Sequence, residues 1–484
     1  MVHCTDLLSA NVNKEWNPEA PIAKIGISKG SRKNNFPGLG AEIPVWQDAR
    51  TAHTPGRAMP PDGMDRRPNR GSYSYKSSKD DPLMPGSPHP YKDLDPPRRL
   101  LLGPGPSMVH PRVLRAMSTP LLGHLDPEFL AIMDEIQELL RWIFQTDNAL
   151  TIAVSGTGSA AMETAIVNLI EPGDRVVVGI NGVFGTRIAQ MVTRCGGTVV
   201  GIEVPWGQPI PLDRIAHILQ TAGSIKAVAL VHAETSTGIW QALEHIGPLC
   251  HDHGALLIVD AVTSLGGIPV QVDAWHIDAC YSATQKCLSC PPGLAPLTFS
   301  QRAQDVLRNR HTPCQSWYLD CTLIADYWTE GKRTYHHTAP ISMAYALREA
   351  LRLIHEEGLE ARFARHQRNS QALRAGLEAL GFALVPPAKQ SLPTLTCVSL
   401  PEWLDDKTAR STLLHDFSIE VGGGLGPLAG KVWRIGLMGE SSTFESVMTL
   451  LAALEQICSH VAPSHSLGQS MTAALKEYSA FAHP

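Results

Sequence analysis

One lysine stands among small residues in the stretch Tyr281-Ser282-Ala283-Thr284-Gln285-Lys286-Cys287-Leu288-Ser289-Cys290-Pro291-Pro292-Gly293. Upstream of it, the apolar run 255–259 ends in Asp260. A run of this kind is typical of a buried parallel strand, and open α/β sheets bind ligands at the carboxyl ends of their strands. The sequence therefore makes Lys286 and Asp260 candidates for one site.

An amine and a carboxylate in one site suit pyridoxal phosphate. The lysine forms an imine with the aldehyde of this cofactor, and the carboxylate keeps the ring nitrogen protonated. The alternative is a surface lysine and a strand-terminal aspartate that caps a turn. Lys286 and Asp260 alone leave both interpretations open, so the surrounding motifs decide.

Composition is that of an ordinary globular enzyme. The chain has 484 residues, a length sufficient for two or more domains. Of these residues 43% are hydrophobic and 18% are charged. The formal net charge is -5 without a long basic run, so we expect no nucleic-acid partner. No apolar run approaches the roughly 20 residues of a membrane span, so we expect no membrane partner either.

The ten cysteines are scattered along the chain, which indicates an intracellular protein with reduced thiols. The pair Cys287 and Cys290 lacks a second pair at zinc-site spacing, so we expect no metal. The ending Ala482-His483-Pro484 does not match a Ser-Lys-Leu peroxisomal signal. The sequence favours the cytoplasm and leaves peroxisomal and mitochondrial locations open.

Composition and hydrophobic periodicity divide the chain into four segments. Residues 1–98 are rich in Pro, Gly, Ser and charge, which predicts a disordered low-complexity extension. A helix is predicted from Pro127 to Gln145, and short β-rich runs then alternate with helical patterns, which predicts an α/β fold with a mostly parallel sheet and helices on both faces. A helical pattern from Ser342 to Leu380 and later strands predict a smaller C-terminal α+β domain. We place the large domain at 99–357, the small one at 358–462 and a tail at 463–484.

Several turns carry candidate binding residues. Thr157, Gly158 and Ser159 follow a short strand and open a helix, so they either bind a phosphate or merely cap the helix. Phe184 either stacks on a flat ring or belongs to the core. Thr235 either bonds a phenolate oxygen or closes a turn. Arg434 lies in an apolar strand, where it meets either a substrate carboxylate or a protein acid.

The chain from Leu101 to about Ser459 resembles the fold-type I, class V pyridoxal phosphate aminotransferases, in particular the alanine–glyoxylate and serine–pyruvate group. The resemblance rests on motifs in family order: Leu101 to Ser107, Glu171 to Asp174, Glu234 to Gly238, Val259 to Gly267, Ser282 to Gly293, Tyr335 to Thr338, Gly424 to Pro427 and Arg434 to Gly436.

The resemblance implies roles for individual residues. Lys286 is then the Schiff-base lysine, and Asp260 the partner of the pyridine nitrogen. The other implied contacts are to the phosphate (Thr157, Gly158, Ser159 and Gln285), the ring (Phe184, Thr235 and Val262), the substrate (Arg434 and Gly105) and the phosphate of a neighbouring subunit's cofactor (Tyr335 and Thr338). A homodimer with shared active sites follows from the last pair.

The resemblance also implies an activity: transfer of an amino group from a small amino acid of the alanine or serine class to a 2-oxo acid such as glyoxylate or pyruvate. The alternative is a lyase, an epimerase or a cysteine-desulfurase-like enzyme on the same fold, and a third is a non-catalytic scaffold. Relatives in this group carry Trp at the position of Phe184 and His at that of Ser159. We expect cofactor binding to survive both differences, whereas the substrate preference is in question because Phe184 borders the active site.

Overall fold

The computed structural model describes residues 93–329, 331–461 and 467–482. The predicted extension, residues 1–98, therefore lies outside the described residues up to residue 92. The described residues belong to one compact unit.

The strands of the described residues are β1 (Leu100–Leu102), β2 (Leu150–Ser155), β3 (Arg175–Ile180), β4 (Thr198–Glu203), β5 (Ala227–Val231), β6 (Ala233–Glu234), β7 (Ile239–Trp240), β8 (Leu256–Asp260), β9 (Ala279–Tyr281), β10 (Leu294–Phe299), β11 (Ala383–Leu384), β12 (Leu395–Ser399), β13 (Ile419–Gly423) and β14 (Val432–Gly436). The helices are α1 (Pro111–Met117), α2 (Pro127–Phe144), α3 (Gly158–Leu169), α4 (Val183–Arg194), α5 (Leu212–Thr221), α6 (Ile246–Asp252), α7 (Gln301–Arg308), α8 (Cys321–Trp328), α9 (Ile341–Glu357), α10 (Leu359–Ala379), α11 (Asp406–His415), α12 (Phe444–Val461) and α13 (Gln469–Ala482).

The larger sheet contains seven of the described strands, in the order β2-β10-β9-β8-β5-β3-β4. Strands β9, β8, β5, β3 and β4 pair in parallel, whereas β10 is antiparallel to both β9 and β2. Strand β2 therefore runs in the same direction as β9. The prediction of a mostly parallel sheet with helices on both faces is confirmed.

Helix α2 shows how local sequence sets an element of this layer. The Asp126 side chain accepts a hydrogen bond of 2.9 Å from the Glu128 amide, and Pro127 occupies the first turn, where no intrahelical donor is needed. The apolar positions that repeat at helical spacing, Phe129, Met133 and Ile136 among them, are fully buried. The predicted helix from Pro127 to Gln145 is thereby confirmed to within one residue.

A second sheet has the order β1-β13-β14-β12-β11 among the described strands, with β1 and β13 parallel and the other pairs antiparallel. Our boundaries put Leu100–Leu102 in the large domain, yet this triplet pairs with Ile419–Val421. An apolar triplet cannot form a sheet alone, so it completes the edge of the second one. The remaining domain boundaries stay a prediction.

Two details concern helices. The helical pattern predicted from Ser342 to Leu380 is confirmed, and it is divided into α9 and α10 because Gly358 adopts a φ of 81° that ends α9 before α10 begins. The predicted tail contains α13, which is anchored because Glu455 accepts hydrogen bonds of 2.7 Å from both the amide and the hydroxyl of Ser470.

Candidate active site

The candidate residues follow the carboxyl ends of strands in the larger sheet. Because β2, β9, β8, β5 and β3 all run in one direction, the turns that follow them meet at the same edge. These turns contain the predicted phosphate turn, Lys286, Asp260, Thr235 and Phe184. Open α/β sheets bind ligands at this edge.

Lys286 lies partly buried, with its amine donating a hydrogen bond to the backbone carbonyl of Pro104. A Cβ atom at Gly105 would lie 2.6 Å from Lys286 Nζ, so the predicted substrate contact Gly105 adjoins the amine directly. Burial lowers the pKa of the Lys286 amine to about 8, and the nearby charge of Arg434 acts in the same direction. An amine with such a pKa has a far larger neutral fraction near physiological pH than an ordinary lysine, and the neutral form can act as a nucleophile or base.

Asp260 ends β8 with only 2% of its surface exposed. Its Oδ1 atom accepts a hydrogen bond of 2.9 Å from the Val262 amide, whereas Oδ2 has no hydrogen-bond partner among the described residues. Burial raises the pKa of the Asp260 carboxyl to about 7, and the neighbouring charge of Lys286 opposes the rise. The two side chains are thus close enough to affect each other's ionisation, and Oδ2 of Asp260 can accept a further hydrogen bond.

Arg434 is buried in β14, where it is 7% exposed. Its Nε donates to the carbonyl of Gly423 at 2.8 Å and Nη1 to the carbonyl of Thr235 at 3.4 Å, and it forms no ion pair with any described carboxylate. Burial lowers the pKa of the guanidinium. Of the two interpretations of Arg434, the described structure favours an incoming anion over a protein acid.

The predicted phosphate turn is open at its surface. The side chains of Thr157 and Ser159 are exposed, and Thr157 makes no capping hydrogen bond at the start of α3. A Cβ atom at Gly158 would lie 2.8 Å from Ala283 Cβ and 3.4 Å from Val262 Cγ2, so this turn packs against both the lysine loop and the aspartate loop. The phosphate turn, Lys286 and Asp260 therefore border one region.

Gln285 lies beside Lys286, and its Oε1 atom is buried without a hydrogen-bond partner among the described residues. Thr235 is buried, and its backbone carbonyl accepts from Arg434. These orphaned or shared polar atoms suit a bound polar ligand, because buried polar groups normally find partners.

Phe184 lies in the first turn of α4, half-buried. Its position depends on Glu234, a fully buried residue that our sequence analysis quoted within a motif but gave no role. Glu234 Oε2 accepts from the amides of Phe184 (3.0 Å) and Gly185 (3.2 Å), and Ser236 donates to Oε1. The signal that could have revealed Glu234 is an acidic residue between an apolar strand and a run of hydroxyl-bearing residues.

The loop with Tyr335 and Thr338 is separate from the lysine. Both side chains are exposed, Tyr335 by 58%, and neither is hydrogen-bonded to the described phosphate turn. His337 in the same loop bonds Ser155 Oγ through Nε2 at 2.6 Å. The two predicted contacts therefore point to the surface of their own chain.

The two cysteines near Lys286 are poorly suited to act as nucleophiles. Cys287 and Cys290 are buried free thiols, and burial raises the pKa of both, to about 12 for Cys287. Within the residues that the structure describes, no three or more His, Cys, Asp or Glu side chains are grouped to hold a metal ion. A desulfurase needs a thiolate, so neither cysteine is suited to that role.

Known proteins share this architecture. A family model described as Aminotransferase class-V matches residues 100–426. The (S)-ureidoglycine–glyoxylate transaminase of Bacillus subtilis is 42% identical over 406 residues, which cover 80% of this chain and 97% of the relative. The alanine–glyoxylate aminotransferase of Oryctolagus cuniculus is 43% identical over 376 residues, which cover 77% and 96%.

A solved structure agrees with these relatives. The alanine–glyoxylate aminotransferase from Nostoc sp. has 53% sequence identity and a TM-score of 0.75, and the match covers 76% of this chain and 97% of that one. The chain therefore belongs to the class-V aminotransferase family. Its activity is that of an aminotransferase. The resemblance and the fold class predicted from sequence are thus confirmed.

None of the helices in the described part combines the length and the apolar character that crossing a membrane requires.

Proposed function

We propose that this chain transfers an amino group from a small amino acid of the alanine or serine class to glyoxylate or pyruvate, with pyridoxal phosphate attached to Lys286. The observation that carries the proposal is the grouping of three side chains. Lys286 has a lowered amine pKa, Asp260 has a free buried oxygen, and Arg434 has no acidic partner among the described residues.

The cofactor fits these residues. When bound, pyridoxal phosphate supplies an aldehyde for attachment and a ring that accepts electrons from the substrate's α-carbon. Asp260 Oδ2 would bond the ring nitrogen, and Val262 would pack beneath the ring. Phe184 would stack on the ring, and Thr235 would approach its phenolate oxygen.

The phosphate group would lie at the amino end of α3. Thr157, Gly158 and Ser159 offer hydroxyls and free backbone amides there, and Gln285 adds a side chain from the lysine loop. Helix amino ends favour anions through these amides and the helix dipole. Retention of the cofactor would therefore depend on this turn as well as on the covalent bond.

Lys286 and Arg434 would act on the substrate. The guanidinium of Arg434 can hold an α-carboxylate through paired hydrogen bonds, while Gly105 leaves space beside the reacting atoms. The neutral amine of Lys286 can accept the α-proton and return it, because its lowered pKa matches the working pH of a base. The two half-reactions share these residues, so ping-pong kinetics are expected.

A homodimer is the proposed assembly. Tyr335 and Trp317 are exposed by 58% and 65%, and Trp317 stacks on His336, the neighbour of Tyr335, so aromatic side chains of this loop region face outward together. We infer that Tyr335 and Thr338 reach the cofactor phosphate of a second copy. The cytoplasmic location favoured by the sequence stays a prediction.

Glyoxylate is the better supported amino acceptor. The two curated relatives are named for different donors, ureidoglycine and alanine, but both are named for glyoxylate. The amino donor is therefore undetermined, and Phe184, which departs from the residue of the resembling group and borders the active site, is the position at which donor selectivity would differ.

The test is a panel of donors (alanine, serine and ureidoglycine) against glyoxylate and pyruvate, with keto-acid and sulfide products measured together. We expect glyoxylate-dependent keto acid from wild type and none from Lys286→Ala. Turnover retained in that variant would refute the assignment of Lys286. Sulfide or racemised substrate in place of keto acid would favour the lyase, epimerase or desulfurase alternative.

A further inference from the structure

Arg187 contacts two residues of the candidate cofactor site. It follows Phe184 by three residues on α4, so both lie on one side of the helix. The guanidinium carbon lies 5.0 Å from the centroid of the Phe184 ring, and Nη1 donates to Ser159 Oγ at 3.3 Å. Arg187 is partly buried and pairs with no carboxylate of the described residues. An arginine that is held without an acid leaves its positive charge available to an anion.

The hydrogen bond between Arg187 and Ser159 can run in only one direction. A guanidinium only donates hydrogen bonds, so the Ser159 oxygen acts as the acceptor. The hydroxyl proton of Ser159 is therefore free to be donated elsewhere, and the bond from Arg187 strengthens it as a donor. Ser159 lies in the first turn of α3, where the backbone amides already favour an anion.

We propose that Arg187 is a positioning residue for the phosphate group of the cofactor. It holds Ser159 as a hydrogen-bond donor to that phosphate and adds a positive charge at the same end of the site. The inference rests on the proposed function, because it requires pyridoxal phosphate at Lys286. It goes beyond that function because it adds Arg187, a positively charged residue on α4, to the residues that bind the cofactor phosphate.

A purely structural role would have a different consequence. If Arg187 served only to support the ring of Phe184, its loss would weaken stacking on the pyridine ring whether or not the cofactor carried a phosphate. Pyridoxal, which has the aldehyde and the ring but no phosphate, separates the two roles. The ratio of the affinities for pyridoxal phosphate and pyridoxal is therefore the quantity to measure.

The experiment titrates the full-length protein, stripped of cofactor, with pyridoxal phosphate and with pyridoxal, using absorbance of the bound form. The variants are Arg187→Met, which keeps the apolar stem, and Arg187→Lys, which keeps the charge. Arg194→Met is the matched control, because Arg194 is an exposed arginine in the last turn of the same helix. Circular dichroism and thermal midpoints establish that each variant is folded.

We expect Arg187→Met to weaken binding of pyridoxal phosphate about tenfold or more, as for loss of a hydrogen bond to a charged group, and to leave pyridoxal binding nearly unchanged. Arg187→Lys should restore part of the loss, and Arg194→Met should match wild type. Equal loss for both ligands, or no loss for either, would overturn the proposal.

A second measurement tests the path through Ser159 and does not depend on Arg187→Met alone. Ser159→Ala should lower the affinity for pyridoxal phosphate, and adding Arg187→Lys or Arg187→Met to it should cost less than in the wild-type background. Fully additive losses would contradict the role of Ser159. Wild-type protein that binds neither ligand would instead refute the proposed function itself.

Discussion

Gly105 lies directly against the amine of Lys286. A Cβ atom at residue 105 would lie 2.6 Å from Lys286 Nζ and 2.7 Å from Lys286 Cδ, and the glycine has a φ of 106°. Both the missing side chain and the backbone conformation are therefore needed at this position. Beside the amine, the site is bordered by the backbone of Gly105 without a side chain. This leaves space for the Lys286 side chain to move away from the Pro104 carbonyl during the reaction.

Gly105→Ala should weaken attachment of the cofactor, because the added methyl group displaces the end of the Lys286 side chain that carries the amine. The measurement is the yellow absorbance of the purified protein after addition of pyridoxal phosphate. Gly173→Ala is the control, since Gly173 has a φ of 92° but no atom within 4 Å of the added Cβ. Both variants should lose about 1 kcal/mol or more of stability from backbone strain, and only Gly105→Ala should show reduced absorbance of the attached cofactor. Normal absorbance in Gly105→Ala would contradict the geometry.

Asp260→Asn should stabilise the cofactor-free protein above pH 7 while impairing catalysis. The folded-state pKa of about 7 lies above the ordinary value of 3.8, so the folded protein binds more protons between these values. The contribution of this carboxyl to the free energy of unfolding therefore falls as pH rises from 4 to 7 and stays unfavourable above it. Removing the charge should raise that free energy by about 1 to 3 kcal/mol at pH 8.

Urea unfolding of the cofactor-free protein at pH 4 and pH 8 checks this expectation. Asp252→Asn, at an exposed position on α6, is the control and should differ little from wild type at either pH. A variant Asp260→Asn that is less stable than wild type at pH 8 would show that the carboxylate has a partner in solution.

The rate at which pyridoxal phosphate attaches to Lys286 should rise with pH around a midpoint near 8. Only the neutral amine attacks an aldehyde, and burial lowers the pKa of this amine to about 8 from the ordinary 10.5. Stopped-flow absorbance between pH 6.5 and 10 measures the midpoint. A midpoint near 10 would mean that the amine is hydrated when the cofactor arrives.

Sequence patterns predicted what depends on neighbours in the chain. The α2 helix, the strands β2, β3, β4, β5 and β8 of the larger sheet and the placement of Asp260 at a strand end follow from periodicity and from the parallel-sheet rule. Contacts between distant segments were not accessible in this way. The pairing of Leu100–Leu102 with Ile419–Val421 joins residues far apart in sequence, and no local signal identifies the partner of such a short strand.

The same limit applied within the site. Arg434 was recognised because a charge in an apolar strand is costly, which is a local property. Glu234 was overlooked because its role depends on the amides of Phe184 and Gly185, which reach it only in the folded chain. Gly358 could have been read as a helix end, since glycine at that place commonly adopts a positive φ.

Arg434→Met should raise the KM for both the amino acid and the oxo acid by about 100-fold, because a bidentate bond to a carboxylate is lost. The absorbance of the bound cofactor should remain, since the guanidinium contacts Gly423 and Thr235 through backbone oxygens only. Arg374→Met is the control, because it removes a partly buried arginine that also donates only to backbone carbonyls, those of Ser391 and Leu392. Unchanged KM values in Arg434→Met would place the substrate carboxylate elsewhere.

Glu234→Gln should weaken the binding of pyridoxal phosphate and pyridoxal to the same extent. Glu234 Oε2 accepts from two adjacent amides at the start of α4, and Ser236 donates to Oε1 through its amide and hydroxyl. A glutamine presents an NH₂ group to one of these pairs of donors, so Phe184 must shift or its amide must lose its acceptor. The cost to folding should be about 1 to 3 kcal/mol, the range for an unsatisfied buried donor.

The equal loss of both ligands distinguishes Glu234 from Arg187, whose removal should affect only the phosphorylated one. Glu203→Gln provides the control, because Glu203 is exposed at the end of β4. Wild-type affinity for pyridoxal in Glu234→Gln would show that Phe184 keeps its position without this carboxylate. Stacking on the cofactor ring would then depend on the packing of α4 alone, and the buried acid would serve only to cap the amino end of this helix.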